Sequence, residues 1–180
     1  LEGMKLLSSF MVNKKVSKKG LPLKLAFGDI SRAHFYGEAQ RKIYIKLPDE
    51  EDHPGKCGLL LRSMYGTQDA SHIWQGDYGT LMLTAGHKQG VSNGAVFHHR
   101  EQDSQSLVHG DDFTFLGYPE HVKEIERQMQ EWYEVKVRGR IGLDEGDDKE
   151  VTILNRTLRI QKGGLEYEAD QKHVRAITEG

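Results

Sequence analysis

The sequence predicts an α+β fold in which an antiparallel sheet packs on helices, and three observations carry that prediction. Leu23–Ile30 and Ser106–Leu116 have strand-like composition, the first alternating and the second interrupted by a glycine and two carboxylates. Stretches near the start, around residues 74–85 and after Pro119 repeat apolar residues at helical spacing. Strands and helices follow one another without the regular alternation that a parallel sheet needs.

The 180 residues suffice for one domain with a sizeable core, and length alone does not call for two. At 37% hydrophobic and 29% charged residues, the composition is that of an ordinary globular domain. No apolar run approaches the ~18 residues of a membrane span, and no signal-peptide pattern opens the chain. The expectation is a protein that is neither secreted nor associated with a membrane. A lone cysteine, Cys57, excludes an internal disulfide and suits a reducing compartment. The net charge of −2 argues against strong stand-alone nucleic-acid binding. Leu1 is not an initiator methionine and Gly180 closely follows a short helix-like segment, so the chain reads as a fragment of something longer.

Taken in order, Met4–Lys19 reads as an amphipathic helix through Leu6, Leu7, Phe10 and Met11, with a basic end at Lys14, Lys15, Lys18 and Lys19 before Gly20. Leu23, Leu25, Phe27 and Asp29 share one face of the next strand; Ala26 and Gly28 leave the other open to a closely packed helix. Ile43-Tyr44-Ile45 reads as a short strand, and residues 49–56 as a polar loop. Trp74, Tyr78, Leu81, Met82 and Ala85 form a helix ending at Gly86, with Thr67, Asp69 and Ser71 as candidate N-caps. Ala95–His98 reads as a strand. Pro119 opens a helix with Val122, Ile125, Met129 and Trp132 on one stripe. Val135–Val137 and Val151–Ile160 are strand-like, Gly163-Gly164 is a hairpin signal, and Asp170 is placed to cap a last helix.

The chemistry centres on His109-Gly110-Asp111-Asp112, a turn that presents two carboxylates, and on Asp29 at the end of the earlier strand. Three carboxylates from two strands supply the oxygen ligands that magnesium prefers. Two such ions roughly 4 Å apart activate an attacking oxygen and stabilise a leaving one. An Asp-Asp pair at a turn is more often punctuation than a site, so these residues alone leave both readings open. Cys57 and His98-His99 lack zinc spacing, and Asp144–Glu150 lacks the ligand pattern of a calcium loop.

Four blocks carry a family resemblance. Asp29-Ile30-Ser31-Arg32-Ala33-His34-Phe35-Tyr36-Gly37, continuing to Ile43-Tyr44-Ile45 and Pro48, resembles the Asp-Val-x-x-Ala-Phe-x-x-Gly segment of copia-type retrotransposon reverse transcriptases. Ser63-Met64-Tyr65-Gly66 with Ala70 and Trp74 is similar to that family's Ser-Leu-Tyr-Gly block, and His109-Gly110-Asp111-Asp112 falls where it carries Tyr-Val-Asp-Asp. Ile153-Leu154-Asn155-Arg156 and Gln171 resemble its Phe-Leu-Gly-Ile strand and the glutamine that follows. The resemblance implies a polymerase palm of ferredoxin-like architecture with partial fingers, spanning residues 1–180 of a longer polyprotein that would also hold integrase and ribonuclease H. It implies an RNA-directed DNA polymerase in which Asp29 and Asp111, with Asp112 more peripheral, bind two magnesium ions, manganese being an alternative. A primer 3′-hydroxyl, paired to an RNA or DNA template, would attack the α-phosphate of a deoxynucleoside triphosphate. Ile30, His34, Phe35 and Gln68 would lie along the nucleotide, and the protein would work in cytoplasmic virus-like particles or the nucleus.

The departures from the family pattern are His34 where an aromatic ring excludes the ribose 2′-hydroxyl, Asp69 at the family's glutamine, Ser71 at its proline, and His109-Gly110 for Tyr-Val. They motivate a second reading, a decayed non-catalytic remnant that binds nucleic acid or a partner. A third is another metal-dependent phosphoryl-transfer enzyme on a similar sheet. The polymerase reading makes a geometric demand: Asp29 and the aspartate pair must stand on neighbouring strands, with the Asp29 and Asp111 carboxylates within roughly 4–6 Å.

Overall fold

A computed structural model describes residues 2–13, 21–50, 54–161 and 163–168. Lys14–Lys19, Asp170 and Gln171, for which a basic helix end, a helix cap and a family glutamine were expected, lie outside the described residues. The fold is α+β with antiparallel sheets, as the unordered mixture of strand and helix signals predicts. The chain divides into two compact units, residues 1–31 with 87–180 and residues 32–86, where length alone suggested one.

The first unit is built on a six-stranded sheet. Its strands are β1 (Lys24–Ile30), β4 (Lys88–Gln89), β5 (Val96–His99), β6 (Ser104–His109), β7 (Asp112–Gly117) and β8 (Val135–Ile141). The spatial order is β4-β5-β6-β7-β1-β8, every pair antiparallel. As a central strand, β1 is buried at Leu25, Ala26, Phe27, Gly28 and Ile30, and only Lys24 and Asp29 near its ends are half-buried. In an antiparallel pair directly opposed residues point to the same face. Leu25 opposite Leu116 and Phe27 opposite Thr114 therefore mark one face, and Ala26 opposite Phe115 with Gly28 opposite Phe113 the other.

On the Leu25–Phe27 face, α1 (Glu2–Asn13) buries Met4, Leu7 and Met11 in a common core with Leu25, Phe27, Leu107, Leu116 and Ile141. The stripe is 4-7-11 rather than the expected 6-7-10-11: Leu6 is exposed, because the helix turns its 3.6-residue period to put Met4 inward instead. A small sheet of β9 (Glu150–Ile153), β10 (Arg156–Gln161) and β11 (Gly164–Glu168) adds Val151, Ile153 and Leu158 to this core. The run from Val151 to Ile160, read as one strand, is a hairpin. Ile153 pairs with Arg156 across Leu154-Asn155, both at positive φ (49° and 56°), the backbone of a type I′ turn. On the opposite face lies α3 (Pro119–Trp132), started by Pro119 at its first turn, with Val122, Ile125 and Met129 buried and Trp132 half-buried. Arg140 ties β8 to this helix through Glu126, its Nε donating to Oε1 at 2.8 Å.

The second unit holds a one-turn 3-10 helix (Ala33–Phe35), the hairpin of β2 (Tyr44–Lys46) and β3 (Cys57–Leu59), and α2 (Ala70–Thr84). Ile73, Trp74, Tyr78 and Met82 are buried along α2, and the Trp74 and Tyr78 rings meet edge to face at 5.3 Å. Gly37 is there because the side chain of Ile73 fills its place: a Cβ would sit 2.3 Å from Ile73 Cγ2.

Candidate metal centre

Asp29 and the aspartate pair stand on hydrogen-bonded neighbours, β1 and β7, with Asp29 directly opposite Asp112. The strand pair continues one step further, where Ile30 N–H donates to the Asp111 carbonyl at 2.9 Å. The β6–β7 hairpin explains how both aspartates reach this end. His109 pairs with Asp112, leaving a two-residue loop, Gly110-Asp111. Gly110 takes φ +65° while Asp111 stays at negative φ, the glycine-first pattern of a type II′ turn. Asp111 thus lies in the loop and Asp112 is the first residue of β7. The backbone register puts Asp112 across from Asp29 and Asp111 across from Ile30. By strand alternation Asp29, two residues after Phe27, and Asp112, two residues before Thr114, share one face.

The electrostatics agree with three carboxylates in one neighbourhood. Burial pushes the Asp112 carboxyl above the usual carboxylate range, and the negative charges of Asp111 and then Asp29 push the same way. Arg138 and His109 pull it back. A like-charge group of this kind costs stability when ionised and is relieved by a cation. The sign follows from proton linkage: the folded state holds the Asp112 proton more tightly than the unfolded chain does. Stability therefore falls as pH rises from the ordinary carboxylate range through the raised value, and the penalty is complete above it. Asp112→Asn should accordingly raise the melting temperature at neutral pH, by the equivalent of about 0.5–1 kcal/mol given a half-buried, solvent-screened site. The gain should disappear near pH 4; thermal denaturation across that range measures it.

Sequence reasoning missed Arg138. Its Nη2 lies 3.1 Å from Asp29 Oδ2, an ion pair between a side chain 53% exposed and one 18% exposed. The register of β8 against β1 explains how it gets there. Gly28 pairs with Val137 but Phe27 with Gly139, so Arg138 is the extra residue of a β-bulge. Gly139 makes the bulge possible: its φ is +156°, and a Cβ would meet Val151 Cγ2 at 2.7 Å and Asp148 Oδ2 at 2.9 Å. The one sequence signal is that glycine inside a strand pattern.

Hard carboxylate oxygens suit a hard divalent cation, and the mutual repulsion at Asp112 is the kind that such an ion offsets. In the arrangement seen, no three His, Cys, Asp or Glu side chains among the described residues converge as a ligand set; Asp29 is turned instead to Arg138. The acidic loop after β8 is occupied structurally. Asp144 and Asp147 hold Lys24 at 2.7 and 2.6 Å, and Asp148 Oδ2 accepts from Arg140 N–H at 2.8 Å. Cys57 is exposed on β3, and His98 and His99 are half-buried on β5.

The other expected site residues, His34, Phe35 and Gln68, belong to the second unit. The His34 ring packs on Tyr65 with centroids 4.2 Å apart, Phe35 is 43% exposed and approaches the same tyrosine edge-on at 5.8 Å, and Gln68 is exposed in the turn before α2. Two distant blocks of the resemblance meet there. Ser63 N–H donates to the Gly37 carbonyl at 2.9 Å, and Arg62 Nη1 to the Tyr36 carbonyl at 2.8 Å. Asp69 stands at the N-cap position of α2 but makes no capping hydrogen bond from its side chain. Arg41 takes the carboxylate instead, Nε to Oδ2 at 2.9 Å, and that bond chiefly holds the carboxyl below its ordinary range.

Compared with protein-family models, curated proteins and solved structures, the chain matches none. Among the described residues no helix is long and apolar enough to cross a membrane.

Proposed function

We propose that this chain is the palm, with part of the fingers, of a copia-type reverse transcriptase, transferring deoxynucleotides to a primer 3′-hydroxyl on an RNA or DNA template. The observation that carries the reading is Asp29 opposite Asp112, with Asp111 in the adjoining loop, at one end of a central strand pair. Connectivity supports it. The strand order β8-β1-β7-β6, with β6, β7, α3 and β8 following one another along the chain, matches the strand order of ferredoxin-like sheets. The second unit is the proposed fingers portion. Fingers, thumb, connection and ribonuclease H sequences would complete the enzyme within its polyprotein.

In this reading Asp29, Asp111 and Asp112 would hold two magnesium ions, and the chemistry such ions would supply is polarisation of the attacking hydroxyl and of the phosphate. The remaining contributions come from the chain. The β1–β7 ladder fixes the backbone positions of Asp29 and Asp112 directly opposite one another. Ile30 lends its backbone beside the triphosphate.

The test is binding of a fluorescent deoxynucleoside triphosphate with and without Mg2+. The expected result is binding strengthened at least about tenfold by the cation, a factor worth 1.4 kcal/mol, and lost in Asp29→Asn. Cation-independent or absent binding would favour the decayed remnant, which the pairing of Asp29 with Arg138 also suits. Phosphoryl transfer that needs no primer or template would favour the third reading. Processive extension by these 180 residues alone is not expected; its appearance, abolished by Asp111→Asn, would contradict the role given to the remaining domains.

A further inference from the structure

We propose that the outer face of the β2–β3 ribbon binds single-stranded nucleic acid, with a base stacked on Tyr44 and phosphates on the lysines beside it. The ribbon has two unlike faces. Tyr44 lies opposite Leu59 and Lys46 opposite Cys57, while Ile45 lies opposite Gly58; directly opposed residues share a face. The face of Ile45 is the inner one. Ile45 and Gly58 are half-buried, and a Cβ on Gly58 would meet Leu47 Cδ2 at 2.9 Å and Ile45 Cγ1 at 3.3 Å. The other face is open: Tyr44 is 60% exposed and Leu59 44%, and Leu61, two residues further on, is 76% exposed.

A contiguous apolar face rimmed by charge marks a docking surface, where a single exposed ring does not. Charge decides the kind of partner. Lys46 shares the face with Tyr44, exposed Lys42 precedes Tyr44 by two residues, and none of the four strand residues on the face is acidic. Lys46 also pairs with Asp49 at 2.7 Å, but both side chains are more than four-fifths exposed, and a pair of that kind contributes little that a phosphate would have to displace. An aromatic ring between two cations suits a polyanion whose units each carry a flat base. The ring offers a stacking surface to any base, and the ammonium groups meet phosphates. Two residues along a strand are roughly 7 Å apart, so a base on Tyr44 keeps its adjoining phosphates within reach of Lys46. With two lysines and a net charge of −2 the binding is weak, in the range of about 10⁻⁴–10⁻⁶ M typical of non-specific complexes. The surface belongs to the second unit alone and uses none of the carboxylates of β1 and β7.

Fluorescence anisotropy of a labelled oligothymidylate, titrated with the 180-residue chain in low salt and EDTA, tests the surface. Binding in the stated range is expected without any divalent cation, so the outcome does not depend on the carboxylate site. Tyr44→Ala should weaken it at least about fivefold, the low end for loss of one base–aromatic stack, and Tyr44→Phe should stay within about twofold of wild type. Lys46→Gln should reduce the slope of log affinity against log salt by about 0.7, the share of one phosphate contact on a single strand. Both side chains are exposed, so circular dichroism should show the fold unchanged in each variant. No binding by the wild-type chain up to about 1 mM, tenfold above the weakest affinity expected, overturns the proposal. Equal binding by wild type, Tyr44→Ala and Lys46→Gln overturns it as well. Self-association that Tyr44→Ala abolishes, with no oligonucleotide bound, would also overturn it and assign the face to a second copy of the chain.

Discussion

Asp29→Asn combined with Asp112→Asn should abolish Mg2+ binding, lowering affinity by more than about a hundredfold, while the chain stays folded. The size of the effect follows from what carries the affinity. Loss of a group that merely supports a metal ligand costs about 10–100-fold, and here two charged oxygens are lost from facing positions on β1 and β7. Folding should survive because asparagine keeps the shape of aspartate and because the ladder is made by the backbone. At Asp112 the substitution also removes an ionised group that burial and its neighbours disfavour. The double variant should therefore lose the ligand without losing the fold, a combination that separates a functional site from a structural ion pair. Calorimetry for the first quantity and thermal denaturation for the second give the answer on one preparation.

Phe27→Ala should be the most damaging substitution in β1, costing about 3–5 kcal/mol. Phe27 is 1% exposed, on the central strand, in the core shared with α1, β8 and the three-stranded sheet. Against a typical total of about 5–15 kcal/mol, a loss of that size leaves a marginal domain. It also reaches the site, because Phe27 precedes Asp29 by two residues on the same face and its packing fixes the strand on which Asp29 is carried. Phe27→Leu, which retains most of the apolar volume, should cost about 1.5 kcal/mol or less. Urea denaturation monitored by circular dichroism measures both, with Asp112→Asn as a comparison on the neighbouring strand.

Much of this architecture was legible where local chemistry and global packing agree. Gly110 before two aspartates, between apolar runs, specifies a tight hairpin. Pro119 followed by Val122, Ile125 and Met129 specifies a helix start and its buried stripe, and the alternation of residues 23–30 assigns Asp29 to the Phe27 face. What stayed hidden depended on distant parts of the chain. The turn at Leu154-Asn155 puts leucine at positive φ, a conformation that its propensity disfavours, so the run Val151–Ile160 reads as strand-like with no turn signal inside it. Asp69 looked like a helix cap by its position, but the tertiary fold brings Arg41 to its carboxylate, and a charged partner outcompetes a backbone amide. The boundary between the two units arises from the density of contacts, which periodicity does not report. Arg138 was missed for the same reason as the bulge that directs it. Its relation to Asp29 exists only once β8 is laid beside β1 with one residue to spare.

The most direct test of the central claim is to add Mn2+, a paramagnetic substitute for Mg2+, to the isotope-labelled chain and record which backbone amide resonances broaden first. The carboxylate site proposed here predicts early, selective broadening at Asp29, Ile30, Asp111 and Asp112, reversed by excess Mg2+ and absent in the double asparagine variant. Broadening that begins instead in the acidic loop from Asp144 to Glu150, or that spreads evenly over surface carboxylates, would contradict it.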